Sequence, residues 1–184
     1  EPHHEEYLYY SEKVRKIYQK YSDRIEPFGM DEAWIELTGI QGVKSLSDGV
    51  KTANSIRREI YESTGLTVSV GVSDNKTFAK LASDYRKPDA VTVFGPQQYS
   101  DKICPLPIGE LMYAGRSTQK RLKSFCIETI GDAANTEISL FKSILGKNGV
   151  SLYMNACGHD TSAVQKTTDK PLIKSLGNSQ TPPR

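Results

Sequence analysis

Residues 66–72 read Leu66-Thr67-Val68-Ser69-Val70-Gly71-Val72, apolar and small or polar in strict alternation, and Ser73-Asp74-Asn75 follow at once. A period of two puts Leu66, Val68, Val70 and Val72 on one face of a strand and Thr67, Ser69 and Gly71 on the other, so the strand is half buried. The period then turns helical. Phe78, Ala79, Leu81 and Ala82 point inward up to about Asp84, while Lys76 and Lys80, four apart, share another face. Arg86-Lys87-Pro88-Asp89 breaks that helix, and residues 90–94 form a second strand. A strand, a short helix and a strand need a further helical layer to bury the sheet.

The preceding residues supply it. Residues 5–21 are rich in helix formers, with Leu8, Val14, Ile17, Tyr18 and Tyr21 near helical spacing. Residues 24–28 and 33–37 are extended around Gly29-Met30-Asp31-Glu32, the signature of a β-hairpin. Ser47 or Asp48 caps a second helix to about Glu62, carrying Val50, Ala53, Ile56 and Ile60 on one face, and Gly65 ends it. The order α-β-β-α-β-α-β defines an α/β (α+β) unit of the split-βαβ kind, with helices on one face of one sheet. It occupies residues 1–100, and Gly95-Pro96 marks its edge.

From about Pro105 the pattern changes to short helices, at 117–125, 130–134, 138–145 and 149–157, joined by Gly, Asn and Ser. Residues 101–170 form a small all-α unit, and 171–184 read as a linker. The chain opens at Glu1 inside a polar helical stretch and is expected to be a piece of a larger protein. Its apolar runs are too short to cross a bilayer, which excludes a membrane-spanning helical protein. Three cysteines cannot all pair and none sits in a metal-binding spacing, which points to a reducing compartment and a cytoplasmic location. Net charge is +2, from 24 Lys/Arg and 22 Asp/Glu. Residues 1–100 carry 13 against 15, leaving 11 against 7 in residues 101–184, so the two halves present different surfaces.

Three groups of residues are candidates for chemistry. Asp31 and Glu32, adjacent at the hairpin, cost energy if desolvated alone and are hard oxygen donors of the kind Mg²⁺ prefers. Lys80 and Lys87, with Lys76, put cations where a triphosphate beside such a metal site would need them. Gly115 leads into Arg116, Lys120, Arg121 and Lys123, eight residues with no acid, and this turn resembles half of a helix-hairpin-helix grip on a DNA backbone. His3-His4 beside Glu5-Glu6 is a further set of possible metal donors.

Read together these segments resemble the Y-family (translesion) DNA polymerases, in the bacterial UmuC-like branch. The matching stretches are Phe28-Gly29-Met30-Asp31-Glu32-Ala33-Trp34, residues 64–84 with their Val68-Ser69-Val70-Gly71-Val72-Ser73 core, Lys87 to Val93, residues 106–132, and 173–181. The resemblance implies that residues 1–100 are most of a catalytic palm, 101–170 the thumb and 171–184 the start of a linker to a little-finger domain. It implies that Asp31 bridges the metals, that Glu32 is the neighbouring catalytic carboxylate, and that Lys87, with Lys80 nearby, reaches the phosphates of the incoming nucleotide.

Two Mg²⁺ ions, a dNTP and primer–template DNA are then the expected cofactors and partners, with a sliding clamp reached through a region beyond this chain. Translesion synthesis in DNA repair and the SOS response is the expected role. The family draws a further aspartate from an earlier strand, so the 184 residues alone are expected to bind Mg²⁺ weakly and not to polymerise. Tyr113-Ala114-Gly115 stands where the family has Gly-x-Gly. A palm-type nucleotide cyclase and a non-catalytic DNA-binding accessory protein are the alternatives.

Overall fold

The computed structural model describes residues 3–167. Helix α1 (His4–Tyr18) is followed by β1 (Ile25–Phe28), β2 (Glu32–Ile35), α2 (Leu46–Thr64), β3 (Val70–Val72), α3 (Lys76–Tyr85) and β4 (Val91–Val93). Short 3₁₀ and π-helical turns at Pro96–Gln98, Tyr99–Ile103 and Ile108–Glu110 lead into α4 (Arg116–Lys123), α5 (Ile130–Ala134) and α6 (Ile138–Ala156). The element order matches the sequence reading. Residues 171–184, including the 173–181 motif, lie outside the described residues. Among the described residues no helix is long and apolar enough to cross a membrane.

The strands pair as two separate ladders. β1 and β2 are antiparallel, with Ile25 opposite Ile35 and Phe28 opposite Glu32; β3 and β4 are parallel. The strand expected from Leu66 is paired only over Val70–Val72, because its partner is confined between Pro88 and Gly95. Bonds from Val70 N–H to Ala90 O and from Phe94 N–H to Val72 O extend the ladder by one residue at each end.

Helix boundaries follow their caps. The Ser45 side chain accepts from Asp48 N–H, so α2 starts before the expected Ser47 or Asp48, and Asp48 lies in its first turn. Gly65 closes the helix at φ 73°, the left-handed cap that glycine adopts without a Cβ penalty. Asn75 caps α3 by accepting from Phe78 N–H. The two terminal helices expected at 138–145 and 149–157 form one run broken at Gly146, whose φ 63° and ψ −142° are not helical.

Two apolar clusters organise the molecule. Ile17 of α1 and Ile56 and Ile60 of α2 pack with Ile35 of β2 and Val68, which places α1 and α2 on one face. On β3, Val72 touches α2 at Gly49, whereas Gly71 on the opposite face lies against α3: a Cβ there would fall 1.8 Å from Ala79 O. The larger cluster takes Phe78, Leu81 and Ala82 from α3 and Phe94 after β4, and continues through Ile103, Leu122, Ile130 and Phe141. Helix α3 therefore serves both the sheet and the helical unit. Residues 158–167 return across it: Asp160 accepts from Thr77 N–H and its hydroxyl at 3.0 and 2.9 Å, and Gln165 N–H donates to Glu26 Oε2 at 3.0 Å.

Candidate active site

The hairpin turn at Gly29–Asp31 is fixed from behind by α1. Arg15 donates to Gly29 O at 3.1 Å and the Ser11 hydroxyl donates to Met30 O. Gly29 takes φ 75°, which lets the chain reverse within so short a loop. Asp31 ends the turn exposed, and Glu32 opens β2 half-buried.

Strand alternation decides what Glu32 meets. Directly opposed residues of an antiparallel pair share a face, so Glu26 with Trp34 and Phe28 with Glu32 project together. Ile35 goes the other way, into the α1/α2 cluster. The face bearing Glu32 and Trp34 is covered by α3. Two residues of strand advance about 6.6 Å, and four residues of helix about 6 Å, so the two elements meet in register. Lys76 meets Trp34 and Glu26: its ammonium is 2.8 Å from both Glu26 oxygens and 4.7 Å from the Trp34 ring centroid, and Trp34 Nε1–H donates to Lys76 O at 3.0 Å. One turn further, Lys80 meets Glu32 at 2.8 Å.

The pairing continues. Lys80 also reaches Asp84 at 2.7 Å, and Asp84 takes Lys87 on its other oxygen at 2.6 Å. Glu32, Lys80, Asp84 and Lys87 thus form one chain of alternating charge, joining three of the sequence candidates through a fourth residue. Burial alone would lower the Lys80 pKa, but hydrogen bonds to Asp84 and Glu32 outweigh it and hold the ammonium above the ordinary lysine value. Burial would likewise raise Asp84, and the two lysines more than reverse that, holding its carboxyl below the usual range.

Asp31 enters no ion pair among the described residues. Asp31 and Glu32 give two hard oxygen donors at one tip, and no group of three or more His, Cys, Asp or Glu that could hold a metal ion occurs among the described residues. The donor set suits a hard divalent cation in kind and supplies only part of the shell it needs.

The basic run lies elsewhere. Gly115 caps α4 with extended backbone, and nothing stands within 4 Å of where its Cβ would be. Arg116, Lys120 and Lys123 follow one stripe of α4, all exposed. Arg121 points away from that stripe and donates to Ile144 O of α6 at 3.3 Å, and Lys123 reaches Glu128 at 3.1 Å. Tyr113 keeps the left-handed conformation of a glycine turn, at φ 69°, and is 76 % exposed.

Sequence reading missed Asp84 and Asp160. For Asp84 a signal existed, because Lys80, Asp84 and Lys87 stand at i, i+4 and i+7, where charges on a helix and the turn after it meet. Asp160 lies 83 residues from Thr77, and no local pattern links them.

Residues 1–84 match the impB/mucB/samB family. DNA polymerase IV of Acetivibrio thermocellus is 46 % identical over 181 residues, 98 % of this chain and 45 % of the relative. A Y-family DNA polymerase chimera superposes with a TM-score of 0.79 at 28 % identity, over 89 % of this chain and 48 % of that one. DinB from Sulfolobus solfataricus gives 0.77 at 28 % identity, over 87 % and 47 %. The helical and sheet architecture is that of the matching part of solved Y-family DNA polymerase structures. The chain is similar to the Y-family DNA polymerases over nearly its whole length, and it spans about half the length of the curated relatives it matches.

Proposed function

We propose that this chain carries the carboxylate site and the DNA-gripping helices of a template-directed DNA polymerase of the translesion type, which adds dNMP to a primer 3′-hydroxyl during damage bypass. Supporting this reading above all is the pairing of Glu32, next to Asp31 at the hairpin, with Lys80 of α3 and, through Asp84, with Lys87 in the turn after it. Residues 1–100 act as palm and 101–170 as thumb in this reading, and 171–184 lead to a little finger. The relatives named DNA polymerase IV support the nucleotidyltransferase class. Primer–template DNA and a dNTP are the substrates, and a sliding clamp is a further partner. The setting is a cytoplasmic DNA-repair and SOS response.

Asp31 and Glu32 would hold divalent metal, Mg²⁺ by preference, with two ions in the complete site. When bound, the metal lowers the pKa of the attacking hydroxyl and offsets charge on the leaving pyrophosphate. Every other contribution is the chain's own. Lys80 and Lys87 take phosphate oxygens by charge-assisted hydrogen bonds. Glu32 is held in place by Lys80, and the hairpin tip by Arg15 and Ser11. Gly115, Arg116, Lys120, Arg121 and Lys123 receive DNA phosphates; where Arg121 does so, it gives up its bond to Ile144 O. With no third carboxylate grouped with Asp31 and Glu32 among the described residues, this chain is expected to bind Mg²⁺ weakly and to extend no primer; measurable extension would overturn the assignment of an incomplete site.

The DNA grip is tested by fluorescence anisotropy with a primer–template duplex. Four phosphate contacts predict that affinity falls about a hundred-fold between 50 and 200 mM salt, and that Lys120→Gln with Lys123→Gln reduces the slope by about 2. A flat salt response would remove these residues from the interface.

A further inference from the structure

Asp84 is an acid among candidate phosphate-binding lysines, where a site built only to attract phosphate would have none. Both of its oxygens are used. Oδ2 accepts from Lys80 at 2.7 Å, and Oδ1 from Lys87 at 2.6 Å. Lys80 gives a second N–H to Glu32 at 2.8 Å. An ammonium has three N–H donors, so Lys80 keeps one and Lys87 two after these bonds are made. Those remaining donors are what an incoming phosphate oxygen needs.

The geometry also solves a problem of like charge. Two ammonium groups within reach of one triphosphate repel each other, and a carboxylate between them offsets that repulsion. Lys87 is 54 % exposed on a four-carbon stem, and Asp84 is the acid that holds it beside Lys80. Ordering such a side chain costs rotamer entropy at the moment of binding unless it is ordered beforehand.

We propose that Asp84 is a positioning residue, whose two oxygens hold Lys80 and Lys87 as one preassembled cationic pair beside Glu32, ready to take a triphosphate as a unit. The inference rests on the nucleotide-binding reading given above, and adds to it how the two lysines act together.

The test is isothermal titration of the 184-residue chain with Mg²⁺·dATP and with magnesium tripolyphosphate. It compares the unaltered chain with Asp84→Asn, Lys87→Gln and the double variant, while ¹⁵N spectra of the lysine ammonium groups are read without ligand. Asp84→Asn is expected to weaken both ligands about 5- to 20-fold, although it makes the site more positive. Asp84→Glu should restore part of the loss. In the Lys87→Gln background the same substitution should cost much less, because much of its effect runs through that lysine. The Lys87 ammonium signal should sharpen in the unaltered chain and vanish in Asp84→Asn.

Equal or tighter binding by Asp84→Asn, with Lys87→Gln weakened, would overturn the inference, since Asp84 would then only screen the lysines. Full additivity of the two substitutions would also overturn it. If neither ligand responds to Lys87→Gln while the ammonium spectra still report the Asp84 pairing, the nucleotide-binding reading itself fails and takes the inference with it.

Discussion

Gly71 shows how much one missing methyl group determines here. The α3 backbone sits so close that a Cβ would lie 1.8 Å from Ala79 O and 2.5 Å from Ser83 N. Gly71→Ala is therefore expected to cost about 3 kcal/mol, the upper end for overpacking, because helix backbone yields less than a side chain; urea unfolding followed by circular dichroism measures it. Tyr113 makes the opposite case. It holds φ 69° without being glycine, a conformation that strains an L-residue, so Tyr113→Gly should gain about 1 kcal/mol in the same measurement. At this scale the sequence was partly legible. Alternation marked Gly71 as the small residue on its face, and the hairpin acids stood out by type. Nothing local announced how closely α3 approaches, because that distance is set by Phe78 and Leu81 settling into the larger cluster.

Among the elements, the contact of hairpin and α3 carries most of the site. A two-residue strand step and a four-residue helix step nearly match, so Lys76 and Lys80 land on Trp34 with Glu26 and on Glu32. Lys76 and Glu26 are only 13 % and 19 % exposed in their side chains, and removing the cation leaves a carboxylate in a poorly solvated place. Lys76→Met is expected to lower stability by about 2 kcal/mol, and to loosen the hairpin so that Glu32 amide exchange accelerates; hydrogen exchange read by NMR checks both. The helices themselves were well marked by capping residues, as at Asn75 and Gly65. The pairing of hairpin to α3 was not, since it joins segments about 50 residues apart and depends on which strand face the α1/α2 layer leaves uncovered.

Across the whole molecule, residues 158–167 bind the helical unit back to the sheet. Asp160 accepts from Thr77 N–H and hydroxyl and from Ser162, and these bonds outweigh burial to hold its carboxyl below the usual range. Asp160→Asn should cost about 1–3 kcal/mol in thermal or urea unfolding. Asp84 is depressed in the same way, and Asp48, held by Lys51 and Ser45, lies at about 2. As pH falls, the unfolded chain takes up these protons first, so each group stabilises the fold above its unfolded value near 3.8 and stops doing so as pH drops through its lower folded value. Stability should accordingly be level from pH 7 to about 5 and decline steeply toward pH 2, in urea midpoints taken across that range.

The pairing of Asp31 with Glu32 as a shared cation and nucleotide site is tested most directly with Mn²⁺ and dATP added to ¹⁵N-labelled protein. Paramagnetic broadening should be strongest at the amides of Asp31 and Glu32, extend to Lys80 and Lys87, and vanish in Asp31→Asn with Glu32→Gln. Broadening centred on His3 and His4, or absent from the hairpin tip, would contradict the account.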